Sequence, residues 1–315
     1  MTDRKTQLDA LAVCCLVGCA LLWGVNQTAT KVALQEVPPL LQAAGRSLGA
    51  AMLLGLWATL RGLPLKLARK AWAPGLLAGL LFAAEFGCIF IGLQYTSASR
   101  IVIFIYLAPF IVALGMPLVA PGERLGALQF GGLIVAFAGV VWAFAEGWGA
   151  AAAGPRQWLG DSLGVVAAAL WASTTLTIRG SSLSQTPPEQ TLMCQLLVSS
   201  LALGAAAWFS GEAWPAGPLR AVTWAALGFQ TVIITFASYL LWFWLVRHYP
   251  ATRISAFTLL TPVFGLLAGV WLLDEPLTAR LLVALAAVVL GTALVSRPSQ
   301  PSVVAQAPGS APRAD

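Results

Sequence analysis

Two charged side chains stand where charge is costly. Arg46 and Glu85 each interrupt an apolar run of about twenty residues, long enough to cross a ~30 Å hydrocarbon core. Charges inside such spans are rare and by default mark a functional position. Arg46 lies about eight residues into the second run and Glu85 about eight from the end of the third. The two runs cross in opposite directions, so both charges fall about 12 Å from the same membrane face at 1.5 Å per residue. They could pair with each other, or take the carboxylate and the ammonium of an amino acid. A structural ion pair, or an Arg46 that snorkels to the interface, is the plainer alternative. Glu85 is also the first candidate for proton coupling.

Uncharged polar and aromatic residues extend this candidate site. Asn26, Thr174, Gln195 and Gln230 sit within apolar runs, where a polar side chain either serves a ligand or hydrogen-bonds another helix. Trp23, Trp171, Phe86, Tyr106 and Tyr239 lie deep in spans or beside the polar positions. They would line a cavity for an apolar or aromatic substrate, or simply pack. Trp242, Phe243 and Trp244 fall near a span end and read as interfacial anchors. Pro109 and Pro262 each remove a mid-span backbone hydrogen bond and free the carbonyl four residues earlier, at Ile105 and Thr258. Each reads as a hinge or cavity-lining kink, with a static packing kink as the alternative.

The elements that must position these residues are helices in lipid. Hydrophobic residues make up 59% of the 315 and charged residues 10%, and mean hydropathy is +0.82. Soluble domains carry about 25% charged residues. The sequence predicts ten transmembrane helices, near 9–30, 38–60, 72–93, 98–119, 125–145, 158–179, 189–210, 220–244, 251–272 and 278–296. The apolar stretch after Arg4 and Lys5 continues through Trp23 without a small-residue cleavage site, so it reads as a retained first helix. After Arg297 a Pro-, Ser- and Ala-rich tail, 298–315, reads as disordered. With the N-terminus inside, twelve Lys and Arg fall on the cytoplasmic side and five opposite, most decisively in the loop from Arg61 to Lys70. Both termini are therefore expected in the cytoplasm.

The net charge of +6 does not indicate nucleic acid, because the basic residues lie in short loops between apolar runs. Cys14, Cys15, Cys19, Cys88 and Cys194 form no C-x-x-C pair, and the one histidine, His248, is far from them. No metal site or cofactor is expected. No phosphate-binding loop of the Walker type appears, so direct drive by ATP has no support. An integral-membrane enzyme would need grouped acid–base or metal residues, which the sequence lacks.

The chain repeats itself. Ala98-Ser99-Arg100 precedes Pro109 by eleven residues, and Ala251-Thr252-Arg253 precedes Pro262 by eleven. Glu123 precedes Gly139 by sixteen, and Glu275 precedes Gly291 by sixteen. Trp23 lies eight before Lys31 and Trp171 eight before Arg179, and Pro38-Pro39 corresponds to Pro187-Pro188. Residues 1–148 and 149–297 thus form two five-helix repeats, and an odd number of spans inverts the second relative to the first. Inverted repeats place a substrate site near the midplane and allow alternating access. A scaffold or receptor would not require this symmetry. Gly45-x-x-x-Gly49, Gly75-x-x-x-Gly79 and Gly265-x-x-x-Gly269 suit close helix packing, within the bundle or between protomers. Glu123 and Asp274-Glu275-Pro276 suit helix capping.

Trp23-Gly24-Val25-Asn26, Leu93-Gln94-Tyr95-Thr96-Ser97-Ala98, Pro109, Gly122-Glu123-Arg124, Pro262 and Asp274-Glu275-Pro276-Leu277 together resemble the drug/metabolite transporter superfamily, in its EamA-type permease branch. Within that branch the chain is most similar to bacterial aromatic amino-acid exporters of the YddG type. The second half departs from the first motif, with Trp171-Ala172-Ser173-Thr174 in its place. The resemblance implies a multi-pass protein of the bacterial inner membrane that exports amino acids, other metabolites or drugs. It implies a small-molecule substrate and membrane lipid as partners, with no obligatory protein partner.

Overall fold

The computed structural model describes residues 5–92, 94–96, 104–144, 156–273 and 279–297. The tail and the junction between the repeats lie outside them, as do Ser97–Arg100 and Asp274–Leu277 of the motifs above.

Among the described residues ten helical segments follow in chain order. They are α1 (Ala10–Leu34), α2 (Pro39–Leu60), α3 (Trp72–Gly92), α4 (Ala108–Val119) and α5 (Ala127–Phe144) in the first repeat. The second holds α6 (Gln157–Gly180), α7 (Pro188–Phe209), α8 (Ala221–His248), α9 in two pieces (Ala251–Phe257 and Leu260–Leu273) and α10 (Ala279–Ser296). Among the described residues five, namely α2, α3, α6, α7 and α8, are long and apolar enough to cross a membrane unaided, and shorter apolar stretches lie in α1, α4, α5 and α10. The protein is an all-α, multi-pass membrane protein of two inverted five-helix repeats.

Local chemistry sets the ends, and it sets them twice. Pro39 opens α2 and Pro188 opens α7, a position where the missing N–H costs nothing. Both helices close with a left-handed glycine, Gly62 at φ 63° and Gly211 at φ 72°. Each closure is a Schellman cap. Leu63 N–H donates to Ala58 O and Gly62 N–H to Thr59 O, while Glu212 N–H donates to Ala207 O and Gly211 N–H to Trp208 O. The proline pairs and the glycines share one offset of 149 residues, so α2 and α7 are the same helix used twice.

The prolines interrupt their helices as the sequence predicts, but the Thr258 carbonyl is not left free: Thr261 N–H donates to it at 2.9 Å. Ahead of Pro109 the chain turns at Tyr106 and Leu107, and ahead of Pro262 at Thr258 and Leu259. Hydrogen bonds there span three residues, Leu107 N–H to Phe104 O and Leu259 N–H to Ala256 O. A feature with no sequence signal is the π-helical stretch Phe229–Ser238 inside α8, where the Thr235 hydroxyl donates to Gln230 O, five residues back.

The repeats interlock rather than sit side by side. The contacts come in symmetric twos: α3 on α6 mirrors α8 on α1, α4 on α6 mirrors α9 on α1, and α3 on α7 mirrors α8 on α2. The pairs α2–α7 and α5–α10 each join a helix to its own repeat. Two groups emerge, α3–α4–α6 and α8–α9–α1, and each draws helices from both halves. Small residues allow the crossings. Gly75 and Gly79 pack on Cys194 and Val198 of α7, Gly49 packs on Thr231 of α8, and Gly265 lies on Gly24 of α1. Gly45 meets nothing.

Candidate functional site

Four helices present one face each to a common cavity, at spacings i, i+3, i+4 and i+7. On α3 these are Phe82, Glu85, Phe86 and Ile89; on α6, Trp171, Thr174, Thr175 and Ile178; on α8, Tyr239, Trp242, Phe243 and Val246. On α1 the face is Trp23, Asn26 and Thr30. Arg46 of α2 and Ile105 and Tyr106, just before α4, complete the wall. The cavity measures about 140 Å³.

Nine of the eleven residues expected to bind substrate meet here: Trp23, Asn26, Arg46, Glu85, Phe86, Tyr106, Trp171, Thr174 and Tyr239. Gln195 and Gln230 do not. Both are fully buried between helices: Gln195 donates to Ala78 O at 3.4 Å, and Gln230 accepts from Gln42 at 2.9 Å. A carbonyl or amide on a neighbouring helix engages each in place of a ligand, although Gln195 Oε1 keeps no hydrogen-bond partner among the described residues. Trp242 and Phe243 correct the reading in the other direction. They are buried lining residues, with Trp242 5.2 Å from Trp23 ring to ring, rather than interfacial anchors. Phe82, Phe90, Thr30 and Thr175 also line the cavity without having been expected. Helical spacing of three or four residues from Glu85, Phe86, Asn26 and Trp171 is the signal that finds them.

Arg46 is only 3% exposed, and aromatic faces hold it. Its guanidinium carbon sits 3.9 Å from the Phe86 ring centre and 5.5 Å from that of Phe90, a desolvated cation–π arrangement. Its Nε–H has no hydrogen-bond partner. Glu85 is 7% exposed and makes no hydrogen bond or contact ion pair with any described residue. Arg46 and Glu85 interact electrostatically across the cavity, with Tyr239 near both, but they do not pair. An aromatic lattice frames them: Phe82 stands edge-on to Phe86 at 4.8 Å and to Tyr239 at 5.8 Å, and Tyr106 edge-on to Trp171 at 6.0 Å. The Trp23 indole N–H donates to the Ser238 hydroxyl at 2.9 Å.

On the face that carries the N-terminus, a network closes below the cavity. Arg179, at the end of α6, forms an ion pair with Glu123 and donates to Val246 O at 2.8 Å and Tyr249 O at 3.0 Å. Glu123 in turn accepts from Ala251 N–H at 2.7 Å and caps the start of α9. The network therefore joins α3–α4–α6 to α8–α9–α1. Beside it, Asp9 caps α1 through Ala12 N–H and accepts from Tyr249 OH at 2.9 Å. The Lys5 ammonium, then the Ala12 N–H, hold the Asp9 carboxyl down at about 2. On the opposite face Glu36 is bound by the Thr223 hydroxyl and by Arg220, which lower its pKa.

A buried, amphipathic cavity between inverted repeats suits transport of a small solute. The model of the EamA-like transporter family matches residues 10–145 and, a second time, residues 158–297. The chain belongs to the EamA-like transporter family. Among relatives of this EamA protein, an uncharacterized transporter of Bacillus subtilis, YvbV, is 30% identical over 281 residues, which cover 89% of this chain and 90% of that one. A WAT1-related chloroplastic protein of Arabidopsis thaliana is 27% identical over 292 residues, covering 90% and 69%. A solved crystal structure shares the fold with a TM-score of 0.74 at 20% identity, covering 89% of this chain and 94% of that one.

Proposed function

We propose that this EamA-family transporter moves small amphipathic metabolites, foremost amino acids including aromatic ones, outward across a bacterial inner membrane. The observation that carries this reading is the unpaired Arg46 and Glu85 in one aromatic cavity. The guanidinium suits a carboxylate, the carboxylate suits an ammonium, and three tryptophans with Phe82 and Phe86 suit an apolar side chain. A cavity of about 140 Å³ suits a small solute.

The packing supports a reading of alternating access, with the groups α3–α4–α6 and α8–α9–α1 as the moving bodies. The breaks before Pro109 and Pro262 then serve as hinges, one in each group. The Glu123–Arg179 network holds the terminal face shut.

The test is flux of labelled aromatic, aliphatic and charged amino acids in proteoliposomes. Saturable flux of aromatic or large apolar amino acids, lost in Arg46→Ala, supports the reading; no flux of any amino acid overturns it. In a cysteine-free background, a disulfide from Glu123→Cys with Ala251→Cys joins the two groups and should stop flux. One from Thr96→Cys with Asp161→Cys lies within one group, where those side chains already hydrogen-bond at 2.7 Å, and should spare it.

A further inference from the structure

We propose that Glu85 is a single site shared by a proton and by the ammonium of a zwitterionic substrate, so that each substrate molecule bound displaces one proton. The proposal rests on reading the cavity as the substrate site, and it adds the energy source.

A carboxylate removed from water needs a compensating charge or a proton. Around Glu85 the described titratable and charged groups are few. Arg46 of α2 lies beyond ion-pair contact, stacked on Phe86. Tyr239 of α8 and Cys88 of α3 are near, and Tyr106 lies across the cavity; all three carry no positive charge in either protonation state. From α1 and α6 come Trp23, Asn26, Trp171 and Thr174, which do not titrate, and α7 faces this level of α3 with Leu203. In the empty cavity, therefore, a proton on Glu85 is the available compensation.

An entering zwitterion changes the account. Its carboxylate takes Arg46, whose Nε–H is free. Its ammonium takes Glu85, and the proton leaves to the aqueous phase on the side then open. The empty cavity holds Arg46 with neutral Glu85 and carries one positive charge. The loaded cavity holds Arg46, ionised Glu85 and a zwitterion, and carries none. Over a full cycle one proton, and with it one net positive charge, crosses opposite to each substrate molecule. A membrane potential would then drive transport even without a pH difference.

The second repeat contains no copy of this device. By the offsets of the repeat, Arg46 corresponds to Gln195 and Glu85 to Ser238. Gln195 is used between helices and Ser238 accepts from Trp23. One proton per cycle is therefore the expected stoichiometry.

The experiment uses the purified full chain and L-phenylalanine, with phenethylamine and 3-phenylpropanoate as one-headed probes. Binding is read by quenching of the cavity tryptophans, proton release by a dye in weak buffer, and transport current in proteoliposomes. Wild type should release about one proton per molecule of phenylalanine or phenethylamine bound, and none with 3-phenylpropanoate. Where Glu85 is protonated, apparent affinity for phenylalanine should fall tenfold for each unit that pH drops. Glu85→Gln should abolish proton release and current. Phenylalanine flux without proton release or current overturns the proposal and leaves the substrate reading standing. Absence of phenylalanine flux and binding overturns both. The one-headed probes act on the unaltered protein, so the result stands even if Glu85→Gln fails to fold.

Discussion

Arg46 is held by two phenylalanine rings, and this grip is specific to a flat guanidinium. Arg46→Lys keeps the charge and loses the stacking and the fork. A hydrogen bond to a charged group contributes about 2 kcal/mol, so losing one arm of the fork on the substrate carboxylate should weaken binding of an aromatic amino acid about 30-fold, measured by tryptophan quenching. Asp9 gives a separate prediction on the terminal face. Its carboxyl falls from 3.8 to about 2, chiefly through Lys5. A depressed carboxyl stabilises the fold above its unfolded value and loses that contribution as pH falls through the folded one. Asp9→Asn, which can still cap α1, should therefore unfold at a lower temperature at pH 7 and match wild type at the lowest pH the detergent-solubilised protein tolerates. A gap that persists below about pH 2 would contradict the assignment. About half of the cavity lining was legible in the residues, in part because Arg46, Glu85, Asn26 and Thr174 are polar in apolar surroundings. Gln195 and Gln230 show the limit of that signal. A buried amide looks the same in sequence whether its partner is a ligand or the next helix.

At the scale of elements, helix count and inversion were readable from hydropathy and from the repeated Trp, Pro and Gly markers. The π-helical stretch of α8 was not, since no residue pattern in Phe229–Ser238 separates it from an α-helix. Helix extents were read short, with α1 running to Leu34 and α8 to His248. Close crossings give a controlled test. A Cβ on Gly24 would lie 2.7 Å from Gly265 N and 2.8 Å from Thr261 O, both backbone atoms, whereas one on Gly18 meets nothing. Gly24→Ala should destabilise by about 1–3 kcal/mol, and Gly18→Ala should stay within about 0.5 kcal/mol. Thermal unfolding of the two variants side by side decides it. The proline breaks predict a kinetic effect. Pro109→Ala with Pro262→Ala restores two backbone donors and should slow flux more than tenfold while binding changes less than twofold. Unchanged flux would assign the breaks to packing alone.

For the whole molecule, hydropathy could not reveal which helices pack together, and so the interlocked groups α3–α4–α6 and α8–α9–α1 come only from the structure. The Glu123–Arg179 network spans them with an Arg179 side chain 1% exposed. Breaking a buried pair by removing one partner costs about 3–5 kcal/mol. Arg179→Gln should accordingly favour the state open on the terminal face, seen as faster entry of a small thiol reagent at a cysteine placed at Ile178. Slower or unchanged labelling would show that the network does not hold that face.

The lopsided pocket has one more consequence. Perfect inverted symmetry would make the two end states mirror images of equal energy. Here the scaffold keeps that degeneracy while Arg46 and Glu85, against Gln195 and Ser238, break it. The resting population must therefore favour one orientation. Transplanting the charged pair to the second repeat should invert that bias, yielding a carrier that idles facing the other way.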